Sequence, residues 1–226
     1  VTLDHLVVLC ATLEQGARWC QQTLGASPEP GGRHLHMGTH NQLLSVRSES
    51  HRQAYLELIA LDPQAHGVPA PGQSRWFDLD DAGLHADVAA HGPKLIHVVA
   101  GVRDIGAAGQ RLAALGIDRG PALPASRQTP RGLLQWRITV RPDGQRLLDG
   151  TLPTLIEWTP PEAQPALHLP SSPVRLLAVQ AWHPEAELLA QAWHSLSDGA
   201  AETATLEATL EATHDATHDA TQATQA

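Results

Sequence analysis

A strand carrying a histidine, a helix, further strands and a strand carrying a glutamate follow one another twice in this chain, and that duplication constrains the fold more than any other feature. Residues 94–102, K-L-I-H-V-V-A-G-V, place His97 inside an apolar, β-branched run that reads as a buried strand. Residues 3–10, L-D-H-L-V-V-L-C, place His5 third in a similar run. Each run leads into an amphipathic helical pattern, over 12–24 and 104–115. Thr12 with Gln15 three positions on forms a capping-box start and Gly25 a stop; Asp104 and Gly116 bracket the second helix in the same way. Each copy closes on a strand with a glutamate in it, Glu57 in A-Y-L-E-L-I-A-L and Glu157 in L-P-T-L-I-E-W-T. Period-two alternation in the first strand puts Leu3, His5, Val7 and Leu9 on one face and Asp4, Leu6, Val8 and Cys10 on the other.

The duplication predicts an α+β fold of two paired βαβββ modules, residues 1–61 and 94–160, whose strands join in a cupped mixed sheet. The Pro-, Gly-, His- and Asp-rich stretch 62–93 is the connector, with a short helical pattern around 76–88. Residues 34–46 read as a strand entered through His34, His36 and His40, and 132–140 alternate as a strand with one buried face. Beyond Pro160 a partial third βα unit, 161–199, offers a strand over 174–182 and a helix over 184–196. From Ala204 the chain repeats A-T-L-E, A-T-H-D and A-T-Q with almost nothing to bury, so 200–226 is expected to be a disordered tail.

At 226 residues and 42% hydrophobic the chain can bury a full core. A formal charge of −9, with Lys94 the single lysine, leaves no basic cluster to neutralise phosphates, which excludes a nucleic-acid partner. No apolar run reaches the length of a membrane span, and the N-terminus enters a strand without a basic region or cleavage site, so a cytoplasmic location is expected. Cys10 and Cys20 stand in no ligand or redox spacing and read as reduced core thiols.

The chemistry rests on His5, Glu57, His97 and Glu157. A carboxylate taken into protein costs several kcal/mol unless it is paired or metal-bound. Pairing of the modules about a pseudo-twofold axis would bring two imidazoles and two carboxylates to one point, a set suited to a divalent Zn, Ni, Mn, Fe or Co ion. Any one of the four alone reads better as a satisfied core polar group; four at symmetric positions favour a metal site. His34, His36 and His40 read as a polar strand entry that supplies hydrogen bonds to the ligands at most.

The motifs L-D-H-L-V-V, G-G-R-H, G-T-H-N, Y-L-E-L-I-A, R-Q-T-P-R-G-L-L-Q-W and L-I-E-W resemble the vicinal oxygen chelate superfamily and, within it, the glyoxalase-like domain proteins. The resemblance covers residues 1–160 and, weakly, up to 196; relatives tend to complete the third copy with further strands where this chain runs into Thr/Ala repeats. It implies a ligand pattern like that of glyoxalase I, a small-molecule substrate, and His40, Asn41, Arg127, Thr129 and Trp136 near the pocket. Two carboxylates neutralise a divalent ion and make it a poor activator of water, so the expected activity is a lyase or isomerase that chelates vicinal oxygens, with Glu157, in preference to Glu57, moving the proton. An Fe(II) extradiol-type dioxygenase, against which the fourth ligand counts, and a metal-free binding protein of the same fold are the alternatives. Monomer and homodimer both stay open.

Overall fold

Strands β1 (Thr2–Leu9), β2 (Glu29–His34), β3 (Thr39–Ser45), β4 (Tyr55–Leu61), β5 (Lys94–Gly101), β6 (Ala122–Thr129), β7 (Gly132–Thr139) and β8 (Thr154–Thr159) form one curved sheet in the order β2-β3-β4-β1-β5-β8-β7-β6. The computed structural model describes residues 1–66, 69, 72–129 and 132–197, and the run 200–226 expected to be disordered lies outside the described residues. The strand order is that of two four-stranded halves related by a pseudo-twofold axis. Strands β1 and β5 meet antiparallel at the seam; β1 is parallel to β4, β5 is parallel to β8, and the outer pairs are antiparallel. Paired βαβββ modules in an α+β fold are therefore what the duplication encodes.

Three of the four α-helices cover the convex face. Helix α1 (Leu13–Trp19) opens with the Gln15 amide donating to Thr12 Oγ1 (3.1 Å) and the Ala11 amide to the Gln15 side chain (2.8 Å). It ends through a wider π turn at Gly25, whose φ of 66° is the left-handed cap a glycine adopts without strain. Helix α2 (Ala82–His91) lies in the connector. In the second module, helix α3 (Ile105–Ala114) opens on Asp104, which accepts from the Ala107 amide at 2.9 Å. Helix α4 (Ala186–Leu196) follows in the C-terminal unit. Leu6, Val8 and Cys10 of β1, Leu112 of α3 and Leu189 and Leu196 of α4 share this core. Each leucine buried there contributes about 1.5–3 kcal/mol. Among the described residues no helix is long and apolar enough to cross a membrane.

The third unit differs from the expected strand and helix. Helix α4 forms, but 174–182 joins no ladder. Strand β3 already has β2 and β4 as neighbours, so only the carbonyl of Val46, just beyond its end, is left to accept the Leu176 amide, at 2.8 Å. Without a ladder to cover them, Leu177 and Trp182 stand 82% and 57% exposed.

The concave face is filled by the connector. A 3-10 turn over Trp76–Asp78 and helix α2 send Trp76, Phe77, Leu79, Leu84 and Val88 into a second core with Val7, Leu9, Ile59, Trp136 and Ile156. Alternation in β1 breaks at a bulge. Leu3 faces Ala100 and His5 faces Val99 on β5, so Asp4 is the extra residue between consecutive pairs. Leu3 thereby joins Leu6, Val8 and Cys10 on the convex side, and the expected grouping of Leu3 with His5 gives way.

Candidate functional site

Strand β4 lies parallel to β1 with Tyr55 beside His5 and Glu57 beside Val7, and its alternation carries both residues to the concave face. The His5 ring stacks on Tyr55 with centroids 4.7 Å apart. Its Nδ1 donates to Asp4 Oδ1 at 2.7 Å, and its Nε2 faces Glu57 Oε2 at the longer distance of 3.4 Å. Burial alone would push the imidazole down, but the two carboxylates outweigh it and raise His5 to about 9. Burial would likewise push Glu57 up; His5, His34 and the Asn41 amide, which donates to Oε1 at 2.6 Å, bring it down to about 2. Asp4 has no solvent exposure and is saturated by His5, Trp158 Nε1 (2.8 Å) and Gln164 Nε2 (2.6 Å). Hence at neutral pH an imidazolium lies between two carboxylates.

Strand β2 adds His34, whose Nδ1 lies 3.0 Å from Thr39 Oγ1 and whose ring meets Trp76 edge-on at 4.9 Å. Burial holds it down to about 4, so it is neutral where His5 is charged. Asn41 Oδ1 accepts from the Gly32 amide (2.8 Å) and from Arg127 Nη1 (3.3 Å), which reaches across from β6. A Cβ on Gly31 would come within 2.1 Å of Asn41 Oδ1, and one on Gly32 within 2.6 Å of Arg127 Nη1. The glycine pair of G-G-R-H is what lets these two side chains close on the strand backbone.

These groups and an apolar wall of Leu134, Trp136, Ile138, Ile156 and Trp158 enclose a cavity of about 30 Å³, room for about two waters. Trp76 and Phe77 line it from the connector, stacked at 5.2 Å, with Phe77 against His97 at 5.0 Å. Phe77 and Asp78 hold φ of 60° and 56°, a left-handed conformation that non-glycine residues adopt only under constraint. Here the constraint is visible: the Asp78 amide donates to Gly144 O (3.0 Å) and its carboxylate accepts from Arg146 Nε (2.8 Å). Two donors in the cavity wall, Trp76 Nε1 and Arg127 Nε, are buried without a hydrogen-bond partner.

The four residues expected to gather do not. His97 Nδ1 donates to Gly150 O at 2.9 Å, because a carbonyl only accepts; its Nε2 lone pair therefore takes the Thr154 hydroxyl at 2.8 Å, and Thr154 in turn accepts from Arg119 Nη2. Burial and the Arg119 charge keep His97 well below its usual range, and both its nitrogens are committed. Glu157 follows Ile156 and precedes Trp158, both of which line the cup, so it points to the opposite, helix-covered face. There its Oε2 accepts from the Ile105 amide at the start of α3 (2.7 Å), with Arg137 at 3.9 Å. His40 is excluded by the same parity beside Asn41, and the Thr129 hydroxyl donates to Gly132 O (2.8 Å) at the β6–β7 turn, away from the cavity wall. Asn41, Arg127 and Trp136 do line it, as expected.

His5, Glu57, His97 and Glu157 thus do not fit a four-ligand divalent ion, and among the described residues no group of three or more His, Cys, Asp or Glu side chains is disposed to hold one. Asp4, His34, Tyr55 and Trp158 are the site residues that sequence reasoning missed or underrated; the H in G-G-R-H was the available signal for His34. Glu157→Gln should cost about 0.3–1 kcal/mol in thermal or denaturant unfolding, the value of a charge at a helix start, and leave chemistry in the cup unchanged. Loss of function in that variant with the fold intact would return Glu157 to the site.

Residues 3–197 match the model of the glyoxalase-like domain. No curated protein sequence matches at a significant level. Among solved structures the chain is similar to a hypothetical protein from Staphylococcus aureus, with 17% identity and a TM-score of 0.52 over 74% of this chain and 63% of that one. It therefore spans less than two thirds of that protein, and the likeness is one of fold. More distant in shape are the methylmalonyl-CoA epimerase of Streptomyces coelicolor in complex with 2-nitronate-propionyl-CoA (15% identity, TM-score 0.41, 70% of this chain and 96% of that one) and that of Mycobacterium tuberculosis (17%, 0.39, 70% and 86%). With the motifs, the paired βαβββ architecture and a family match over nearly its whole length in agreement, the chain belongs to the glyoxalase-like domain family.

Proposed function

We propose that this chain is an isomerase- or lyase-type enzyme that moves a proton on a small oxygen-bearing organic molecule, with Glu57 as the proton acceptor. The observation that carries the reading is the buried Asp4–His5–Glu57 array on a small, largely apolar cavity. A carboxylate held near 2 is a feeble base toward carbon. The reading therefore requires that charge developing on the substrate oxygen be stabilised as the proton leaves, and the cations available are the Arg127 guanidinium and the His5 imidazolium. No step is assigned to a metal ion, since the donors that would hold one are committed elsewhere.

Deuterium exchange in D₂O, followed by NMR with glycolaldehyde and hydroxyacetone, tests this. Wild type should exchange the carbon-bound proton next to the carbonyl, and Glu57→Gln should slow that exchange by about 10²–10⁴-fold. Exchange that survives the substitution would remove Glu57 from the role. A second reading, metal-free binding without turnover, is supported by the roof of Trp76 and Phe77 that leaves only about 30 Å³. It predicts saturable binding with no exchange in either protein.

A further inference from the structure

We propose that the cup selects an uncharged ligand whose carbonyl or hydroxyl oxygens accept from Trp76 Nε1 and Arg127 Nε. The inference deepens the reading of this cavity as the reaction site and rests on it. Two features of the wall carry it. Buried donors almost always have a partner, and leaving one unmade costs about 1–3 kcal/mol. Here two such donors occur together in residues that line one cavity, and Trp76 is only 6% exposed. They ask for acceptor atoms at two points.

The charges then decide between an anion and a neutral molecule. Asp4 and Glu57 contribute two negative charges, and His5 and Arg127 two positive ones, so the formal sum is zero before a ligand enters. His34 is neutral and adds nothing. A carboxylate ligand would bring an unbalanced charge into a wall that is otherwise tryptophan, leucine and isoleucine, where an uncompensated ion costs several kcal/mol. An aldehyde, ketone or amide oxygen satisfies the same donors without that penalty. The guanidinium then stabilises the oxygen only as negative charge develops on it, the condition that the proton-transfer reading needs.

Formamide and formate are a matched pair of probes, equal in heavy atoms and small enough for the cavity. A three-atom ligand reaches at best about −4.5 kcal/mol, so millimolar or weaker binding is expected and NMR titration is the suitable measurement. The indole N–H resonance that disappears in Trp76→Phe identifies Trp76. In wild type that resonance should move downfield and saturate with formamide, while formate at pH 7 should bind at least about ten times more weakly, the equivalent of 1.4 kcal/mol. Trp76→Phe removes an N–H that has no partner and keeps an aromatic ring; formamide affinity, read from the remaining shifts, should fall about 2–10-fold, the value of one neutral hydrogen bond. Formate binding as well as or better than formamide overturns the inference, as does an unchanged formamide affinity in Trp76→Phe. No shift with either probe overturns it too, and leaves water as the occupant of the two donors. Formamide has no carbon alpha to its carbonyl from which a proton could be taken, so this outcome is independent of Glu57: binding as described without deuterium exchange in the other ligands would keep the ligand class and discard the catalytic reading.

Discussion

Replacing Asp4 by alanine should lower the unfolding free energy by about 3–5 kcal/mol, the cost of removing one partner of a buried ion pair. The loss has more than one source. His5 would keep its burial but lose the nearer of its two carboxylates, at 2.7 Å, and Trp158 Nε1 and Gln164 Nε2 would lose their acceptor. For a chain of this size that is a drop of roughly 6–20 °C in the thermal midpoint. Asp4→Asn retains an acceptor of the same shape and should lose less, which separates charge from packing. The wild-type pH profile carries the same signature. His5 is raised to about 9 from an ordinary 6.5, so its contribution is full below pH 6.5 and disappears as pH rises through 9. That contribution is about 3 kcal/mol. Glu57 is lowered to about 2 from 4.5, so its share is present above pH 4.5 and is lost as pH falls through 2. Both shifts describe one pair and do not add. His34 and His97, held below their ordinary range by burial, cost stability as pH falls below 6.5, so stability should be greatest near pH 6.5, and the alkaline decline should be smaller in Asp4→Ala, where only Glu57 still faces His5. An unchanged alkaline limb in the variant would mean that His5 is not the titrating group.

Phe77→Ala should be almost as damaging, by about 3–5 kcal/mol, because the ring fills the cup between Trp76 and His97. Phe77→Gly should be milder than Phe77→Ala by about 1 kcal/mol, the reverse of the order expected at an ordinary position, because only glycine adopts the φ of 60° at this site without strain. Denaturant unfolding of the two variants side by side checks the order. Should alanine prove the more stable of the two, the left-handed backbone at 77 is not what the native state holds. Either variant also enlarges the cavity roof and should admit ligands larger than hydroxyacetone.

The parts of this molecule that sequence made legible are those governed by local rules. Caps at Thr12 and Asp104, stops at Gly25 and Gly116, the apolar runs of β1 and β5 and the apolar alternation in β7 all belong to one residue and its near neighbours. Residue parity against an irregular strand is another matter. In Y-L-E-L-I the glutamate is third in its strand, and in T-L-I-E-W it is fourth; one residue of difference sends Glu157 to the helix side and Glu57 to the cup. The bulge at Asp4 is invisible in a pattern that otherwise alternates, so the carboxylate that fixes His5 was counted on the wrong face. His97 does lie at the position the duplication implies. What sequence could not show is that Thr154 and Arg119, far from it in the chain, occupy its lone pair. The connector could be read as turn-rich, but its role in filling the cup depends on Trp76 and Phe77 meeting residues of both modules.

Asp4 and His5 are chain neighbours, and in a regular strand neighbours never share a face. The bulge suspends that rule for a single pair, so the orientation of the acid relative to the imidazole is fixed by one peptide unit instead of by the packing of two distant elements. Little rotational freedom is left to lose when the hydrogen bond forms, and the pair is preorganised as soon as β1 joins the sheet. A residue inserted between them, or a deletion that restored even alternation, would leave every strand of the fold in place and still separate acid from base.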